Sequence, residues 1–447
     1  MSLNNTPRAG RLHIGIFGRR NAGKSSLINA LTGQDLAIVS DTPGTTADPV
    51  YKSMELHPIG PVVFIDTAGF DDEGELGELR TAKTASVINR TDVAILVIDG
   101  SKLLNNDGAE SPAAGDSVLP GYTACSALTD APQAKAPDPR DIAWLSRLED
   151  AGIPVITVLN KIDAASQADL SGADLPGNDA FASAIPVSAK TGEGIEALRT
   201  AIVNAVPEEY MEEDLLGDLL EDGSLVLLVM PQDIQAPKGR LILPQVQTLR
   251  TLLDRKCQVM STTADGLSQA LQSLNRAPDL IITDSQCFDL VYQKKPEQSA
   301  LTSFSILMAA AKGDIDVFLD GVNAIDAALQ NAGAESSGTE PTNLFRVLIA
   351  EACTHVPQNE DIGTVKIPRL LQKQFGDRVT VTNVRGNDFP DVESLRQYDL
   401  IIHCGACMFN RRHVLSRIAS AREAGVPITN YGIFLAKMAG ILDKVSL

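Results

Sequence analysis

The sequence predicts an α/β protein in three parts, and three observations carry that prediction. Short apolar runs alternate along the chain with stretches of helical spacing, the pattern of parallel sheets covered by helices. A glycine-rich GxxxxGKS loop, Gly18 to Ser25, stands between the first strand and the first helix. Near the C-terminus lie two clusters of metal-ligand residues, Cys353-Thr-His355 and His403-Cys404-Gly-Ala-Cys407, separated by residues 356–402. The length of 447 residues suits about three domains of roughly 100–200 residues each.

The first domain begins with the strand His13-Ile-Gly-Ile-Phe17 and its loop Gly18-Arg19-Arg20-Asn21-Ala22-Gly23-Lys24-Ser25, followed by Ser26 and a helical run to Leu31. In such a loop the backbone N–H groups wrap phosphates, Lys24 reaches the β and γ oxygens and Ser25 holds Mg²⁺. Thr45 and Thr46, in the polar loop Pro43-Gly-Thr-Thr46, are placed to complete the Mg²⁺ shell and sense the γ-phosphate. The strand Val62–Ile65 delivers Asp66-Thr-Ala-Gly69, with Asp66 in the outer shell of Mg²⁺ and the Gly69 N–H at the γ-phosphate. Pro154–Leu159 delivers Asn160-Lys161-Ile-Asp163, where Asp163 takes the two guanine N–H donors that adenine lacks. Ser188-Ala189-Lys190 follows with the last base contact. These motifs, in this order, predict a Ras-like G domain that binds and hydrolyses GTP.

The same residues resemble the branch of translation-factor-related GTPases that contains tRNA-modification and ribosome-assembly enzymes. Phe70 stands where Ras-like enzymes carry the glutamine that orients water, and Asn21 matches an asparagine that ligates K⁺ in that branch. The resemblance implies K⁺-stimulated hydrolysis. Lys24, Thr46, Asp66 and Asn21 are then the residues expected to act on the phosphates.

Residues 1–207 are expected to form this domain, interrupted at 101–140 by a Pro-, Ala- and Asp-rich surface insertion that carries an incidental Cys125. Residues 208–222 read as an acidic linker. Residues 223–303 read as a small α/β domain whose edge strand and apolar content suit oligomerisation, and Cys257 and Cys287 within it read as small buried hydrophobes. Residues 304–447 form the metal-binding domain. Its strands Phe345–Ala350 and Tyr398–Ile402 end at the two ligand clusters, and open α/β sheets place their sites beyond the carboxyl ends of strands.

The ligand set leaves two chemistries open. Three cysteines and a histidine make an ordinary tetrahedral zinc site, while three thiolates on a cubane leave one iron with histidine or an exchangeable ligand. Net charge decides a different question. At −19 the chain lacks the basic stripe that displaces counterions from a nucleic acid. No apolar stretch is long enough for a membrane helix and no signal peptide is expected. The expected compartment is the reducing cytoplasm, where clustered cysteines favour metal.

CxH and HCxxC downstream of a K⁺-type GTPase domain and a small α/β unit resemble the FeFe-hydrogenase maturation GTPases, the HydF family. The stretches Ala236–Gln245 and Leu301–Leu307 share the likeness. The resemblance implies a 4Fe-4S cluster on Cys353, Cys404 and Cys407, with His355 or His403 as a labile fourth ligand or a neighbour. It also implies a scaffold that receives a di-iron precursor from radical-SAM maturases and passes it to apo FeFe-hydrogenase, as a homodimer through the middle domain. An RNA-directed GTPase and a GTPase switch with a structural zinc are the alternatives.

Overall fold

A computed structural model of the chain describes residues 10–32, 49–69, 84, 86–101, 137–164, 181, 183–207, 210, 215–231, 241–334, 344–352, 361–386 and 388–447. The chain divides into two compact units, residues 11–211 and 212–447.

The first unit runs β1 (Leu12–Gly18), α1 (Lys24–Thr32), β2 (Val50–Leu56), β3 (Gly60–Asp66), β4 (Val93–Asp99), α2 (Pro139–Asp150), β5 (Val155–Asn160), β6 (Ile185–Pro186) and α3 (Ile195–Asn204). Its six strands lie in the order β2-β3-β1-β4-β5-β6. All pair in parallel except β2, which runs antiparallel to β3. β1 and β4 are buried along their whole length, as continuous apolar strands covered on both faces must be. Ile14, Ile16 and Phe64 pack under Leu27, Ile28 and Leu198 on one face. Phe17, Ile65 and Leu96 pack under Trp144, Leu145 and Leu148 on the other.

α2 begins at Pro139, inside the stretch expected to be insertion. Asp138 caps it by accepting the Arg140 N–H at 2.9 Å, and proline at a first turn loses no helical hydrogen bond. The rest of the expected insertion, with Cys125, lies outside the described residues.

The second unit holds two parallel sheets. The first comes from β7 (Leu225–Val229), α4 (Leu243–Asp254), β8 (Gln258–Thr262), α5 (Leu267–Ser273), β9 (Leu280–Thr283), α6 (Phe288–Lys294) and β10 (Ala300–Ser303), ordered β10-β9-β7-β8. Three helices follow, α7 (Phe304–Lys312), α8 (Ile315–Val322) and α9 (Ala324–Ala334). The second sheet comes from β11 (Phe345–Glu351), α10 (Ile367–Phe375), β12 (Val379–Arg385), α11 (Val392–Leu395), β13 (Leu400–His403), α12 (Arg411–Ala424), β14 (Ile428–Asn430) and α13 (Tyr431–Met438), ordered β12-β11-β13-β14.

One core joins the two sheets. Leu227 and Ile281 of the first share it with Val347 and Ile402 of the second, through Ile306 of α7 and Phe318 of α8. Cys257 is buried, and Cys287 packs against this core with its thiol pushed up by burial.

Candidate functional sites

The turn after β1 takes the backbone through conformations that few side chains tolerate. Gly18 has φ 152°, Asn21 60° and Gly23 90°. A Cβ on Gly23 would lie 2.2 Å from Asn160 Nδ2, so glycine is required by space as well as by torsion. Lys24 is buried with its Nζ 2.9 Å from the carbonyls of both Gly18 and Arg19, which holds the ammonium inside the loop it serves. Arg19 ties the loop to α2, its Nη1 2.8 Å from Asp138 Oδ2 and its Nε 3.2 Å from Asp141 Oδ2. Arg20 is exposed, and its backbone N would lie 2.7 Å from a Cβ on Gly69. Gly69 is the only residue type that lets the two loops approach so closely.

Ser25 Oγ donates to Asp66 Oδ2 at 2.7 Å, and Thr67 Oγ1 anchors the next turn on the Ile16 carbonyl at 2.6 Å. Asp66 is buried, which pushes its carboxyl up, while Ser25 and Lys24 pull it back. Its Oδ1 is buried with no hydrogen-bond partner. A buried carboxylate oxygen without a donor costs a few kcal/mol, and a hydroxyl beside it makes an all-oxygen corner of the kind Mg²⁺ takes. The residues therefore fit Mg²⁺ through Ser25 and Asp66. Thr45, Thr46 and Phe70 lie outside the described residues.

Asn160 knits the site together, Nδ2 donating to the Ala22 carbonyl at 2.9 Å and Oδ1 accepting the Ala189 N–H at 3.1 Å. Lys161, at φ 67°, pairs with Asp99 at 2.8 Å. Ser188 Oγ donates to Asp163 Oδ1 at 2.7 Å, leaving the exposed Asp163 carboxylate aligned by a buried neighbour. Lys190 is exposed. The expected nucleotide contacts among the described residues thus lie on four loops, three of them linked by Asn160 and the fourth, Asp66 to Gly69, joined to the first through Ser25.

Sequence reasoning missed Lys52. It shares an inward alternation with Met54 and Leu56 on β2, is 8% exposed, and its Nζ has no hydrogen-bond partner. Since Val50 lies opposite Asp66, Lys52 sits diagonally from that carboxylate on the same face.

The second site lies at the carboxyl ends of β11 and β13, paired in parallel with Ala350 opposite His403. The Cys404 N–H donates to the Ala350 carbonyl at 2.9 Å. Cys404 Sγ accepts the Ala352 N–H at 3.1 Å and the Ala406 N–H at 3.4 Å. Ala352 is the residue before Cys353, so the register brings the chain leading to one cluster against the sulfur of the other. Cys353 and His355 themselves lie outside the described residues. Among the described residues no three His, Cys, Asp or Glu side chains gather as a metal site.

The donor chemistry fits a metal–sulfur cluster, because N–H groups aimed at a sulfur stabilise its negative form. Burial pushes the Cys404 thiol up to about 11, with the neighbouring Cys407 adding to it. The Cys407 thiol is also raised by burial and partly drawn back by the charge of Lys312.

His403, expected as a labile fourth ligand or a neighbour of the cluster, has both ring nitrogens engaged by the protein. It is 1% exposed, its Nδ1 is 2.8 Å from the Cys404 carbonyl, and its Nε2 is 3.0 Å from Arg417 Nη1. The carbonyl can only accept and the guanidinium only donate, so the ring is neutral with its proton on Nδ1. Burial, seconded by Arg417, holds it down at about 3. Both nitrogens are occupied, and the ring braces the cysteine loop from behind. Arg417 also donates to the Gly386 carbonyl and lies over Phe389 and Phe409 at 4.7 and 4.5 Å. Its place on the buried stripe Val414, Arg417, Ile418, Ala421 was the signal that could have identified it.

Comparison with known proteins divides the chain the same way. Residues 13–161 match the family described as 50S ribosome-binding GTPase. Residues 215–313 match the hydrogen maturase F dimerization domain and residues 341–446 its tetramerization domain. Curated relatives match the first domain. The tRNA modification GTPase MnmE of Ralstonia nicotianae is 36% identical over 194 residues, 43% of this chain and 34% of that protein. GTPase Der of Rhizobium leguminosarum bv. trifolii is 33% identical over 211 residues, 45% of this chain and 36% of that one. The chain spans about a third of the length of these relatives. Among solved structures, Aquifex aeolicus Era bound to GDP.AlF4- aligns with TM-score 0.33 and 17% identity, over 59% of this chain and 98% of that one. The N-terminal domain is a GTPase, and no helix of the described residues is long and apolar enough to cross a membrane.

Proposed function

From a chain that carries a GTPase domain followed by the hydrogen maturase F dimerization and tetramerization domains, we propose a cytoplasmic GTP-hydrolysing scaffold for FeFe-hydrogenase maturation. Cys353, Cys404 and Cys407 hold a 4Fe-4S cluster. A di-iron precursor, the cargo, arrives from radical-SAM maturases and leaves for apo FeFe-hydrogenase. The observation that carries this reading is the parallel register of β11 and β13. It sets Cys404, its sulfur taking two backbone N–H bonds, against the residue before Cys353.

In the GTPase domain the loop Gly18–Ser25 holds the phosphates, with Lys24 supplying charge at the β and γ oxygens. Mg²⁺ on Ser25, with Asp66 behind it, would neutralise charge that develops on those oxygens. Asn21, with its backbone at φ 60°, would offer its amide oxygen to K⁺, whose charge would stand in for an arginine finger. Asp163 and the Ser188–Lys190 loop select guanine. Hydrolysis changes the affinity of the scaffold for its protein partners rather than driving iron chemistry. Equal partner affinity in GTP, GDP and nucleotide-free states would contradict that role.

The homodimer forms through the middle domain. α4 supports this, since Val246 and Leu253, two turns apart, are 46% and 57% exposed, and Leu241 before them is 38% exposed. An apolar stripe left in water on a helix is the usual mark of an interface.

Iron and sulfide analysis of anaerobically purified, reconstituted protein tests the proposal. About four irons and four sulfides per chain, with an EPR signal lost in Cys404→Ser, is the expected result. Stoichiometric zinc without sulfide would replace the scaffold reading with a GTPase switch bearing a structural metal.

A further inference from the structure

Lys312 ends α7 and is 2% exposed. Its ammonium lies 2.7 Å from the Phe409 carbonyl, 3.4 Å from that of Ala406 and 3.5 Å from that of Cys407. All three acceptors belong to the loop that leaves β13 with the two cysteines. Putting a lysine head group this deep carries a large desolvation cost, recovered only where acceptors are fixed around it. The three carbonyls are such acceptors, and they in turn are fixed by it.

The same helix meets the start of the loop. A Cβ on Gly405 would lie 3.4 Å from Ser305 Oγ and 3.8 Å from Met308 Cβ. Ser305 Oγ donates to Asn430 Oδ1 at 3.0 Å, and Asn430 Nδ2 donates to the Cys404 carbonyl at 3.3 Å. The loop therefore lies along α7 from Ser305 to Lys312. Within it Ala406 stands at φ 50°, a left-handed conformation that is strained for a residue with a Cβ. That conformation aims the Ala406 N–H at Cys404 Sγ and its carbonyl at Lys312. One ammonium thus holds the strained residue on which the sulfur environment depends.

We propose that Lys312 is the positioning residue of the cysteine loop, and that its buried charge raises the reduction potential of a metal–sulfur cluster bound there. The second half rests on the cluster reading above; the first does not. α7 falls in the stretch matching the dimerization domain and the loop in the stretch matching the tetramerization domain. The cysteine site is thus built by both. A positive charge beside a cluster stabilises the reduced, more negative state, so removing it lowers the potential.

Lys312→Met in the full chain tests both halves. Hydrogen exchange of the metal-free protein should quicken at least tenfold at amides 404–410 while the β1–β6 sheet stays unchanged. An EPR-monitored redox titration of the reconstituted protein should give a more negative midpoint potential than wild type. Iron bound by both proteins at the same potential, with unchanged loop exchange, overturns the proposal. Failure of wild type itself to take up iron and sulfide removes the cluster reading, and exchange then decides the positioning role alone: faster upholds it, unchanged overturns it. Should Lys312→Met not fold, Lys312→Gln, which keeps one donor and removes the charge, is read by the same two measurements.

Discussion

Asp163 is exposed, yet it does not swing freely, because the buried Ser188 hydroxyl donates to one of its oxygens at 2.7 Å. A carboxylate so aligned accepts from two adjacent N–H donors of guanine. An amide in its place offers one acceptor and one donor, which matches xanthine instead. Asp163→Asn is expected to weaken GDP on the order of 10²–10⁴-fold, the loss of two charge-assisted hydrogen bonds, and to gain affinity for xanthosine diphosphate. Competition titration with both nucleotides measures it, and unchanged guanine preference would remove Asp163 from base recognition. His403 gives a second prediction at this scale. Its folded value of about 3 lies below the roughly 6.5 of an unfolded chain, so between those values only the unfolded chain binds the proton. Stability from the neutral ring is complete above pH about 6.5 and falls as the pH drops toward about 3. Urea unfolding of metal-free protein should lose on the order of 2 kcal/mol between pH 7 and pH 5 from this residue. A variant His403→Asn with an undiminished pH dependence would show the loss lies elsewhere.

At the scale of elements, α4 is the segment whose exposure asks for a partner. Val246→Glu with Leu253→Glu places two carboxylates on its exposed face, at positions 46% and 57% open to water in the single chain. The expected outcome is a shift toward smaller species in light scattering at unchanged melting temperature; an unchanged mass would place the dimer contact off α4. The sequence marks α4 over Leu243–Asp254, with Pro244 in its first turn and apolar residues at helical spacing. β1 and β3 are legible as short, largely apolar strands that lead straight into nucleotide loops. β2 is not: it is an edge strand with Val50 exposed and Lys52 turned inward, so its pattern contradicts the rule that charges face water. β10 escaped as well, four residues ending in Thr302 and Ser303, buried by neighbours the sequence does not name. The nucleotide loops were readable because phosphate binding fixes residue types at fixed spacing. The clamp on the cysteine loop was not, since Lys312 and Arg417 act from helices 92 and 13 residues removed from Cys404 and obey no local spacing.

Whole-molecule charge separates the scaffold from its main rival. The relatives of the first domain include proteins named for tRNA modification, which keeps an RNA-directed GTPase on the table for this chain. A net charge of −19 opposes a phosphate backbone, where affinity comes from cations that displace counterions. It also opposes the meeting of two copies, which dimerization and tetramerization domains must achieve through apolar contact against mutual repulsion. The two interactions respond to salt with opposite sign. Raising ionic strength from 0.05 to 0.5 M shortens the Debye length from about 14 to about 4 Å, which screens the repulsion between copies and weakens any RNA contact. The apparent dissociation constant of the homo-oligomer, followed by sedimentation, should therefore fall as salt rises, with no tRNA complex at 0.15 M. An oligomer that loosens in salt would mean its interface is held by charge pairs, and a tRNA complex with a steep negative salt slope would mean that local basic surface outweighs the total. The tRNA complex alone would favour the RNA-directed reading of the first domain over the scaffold.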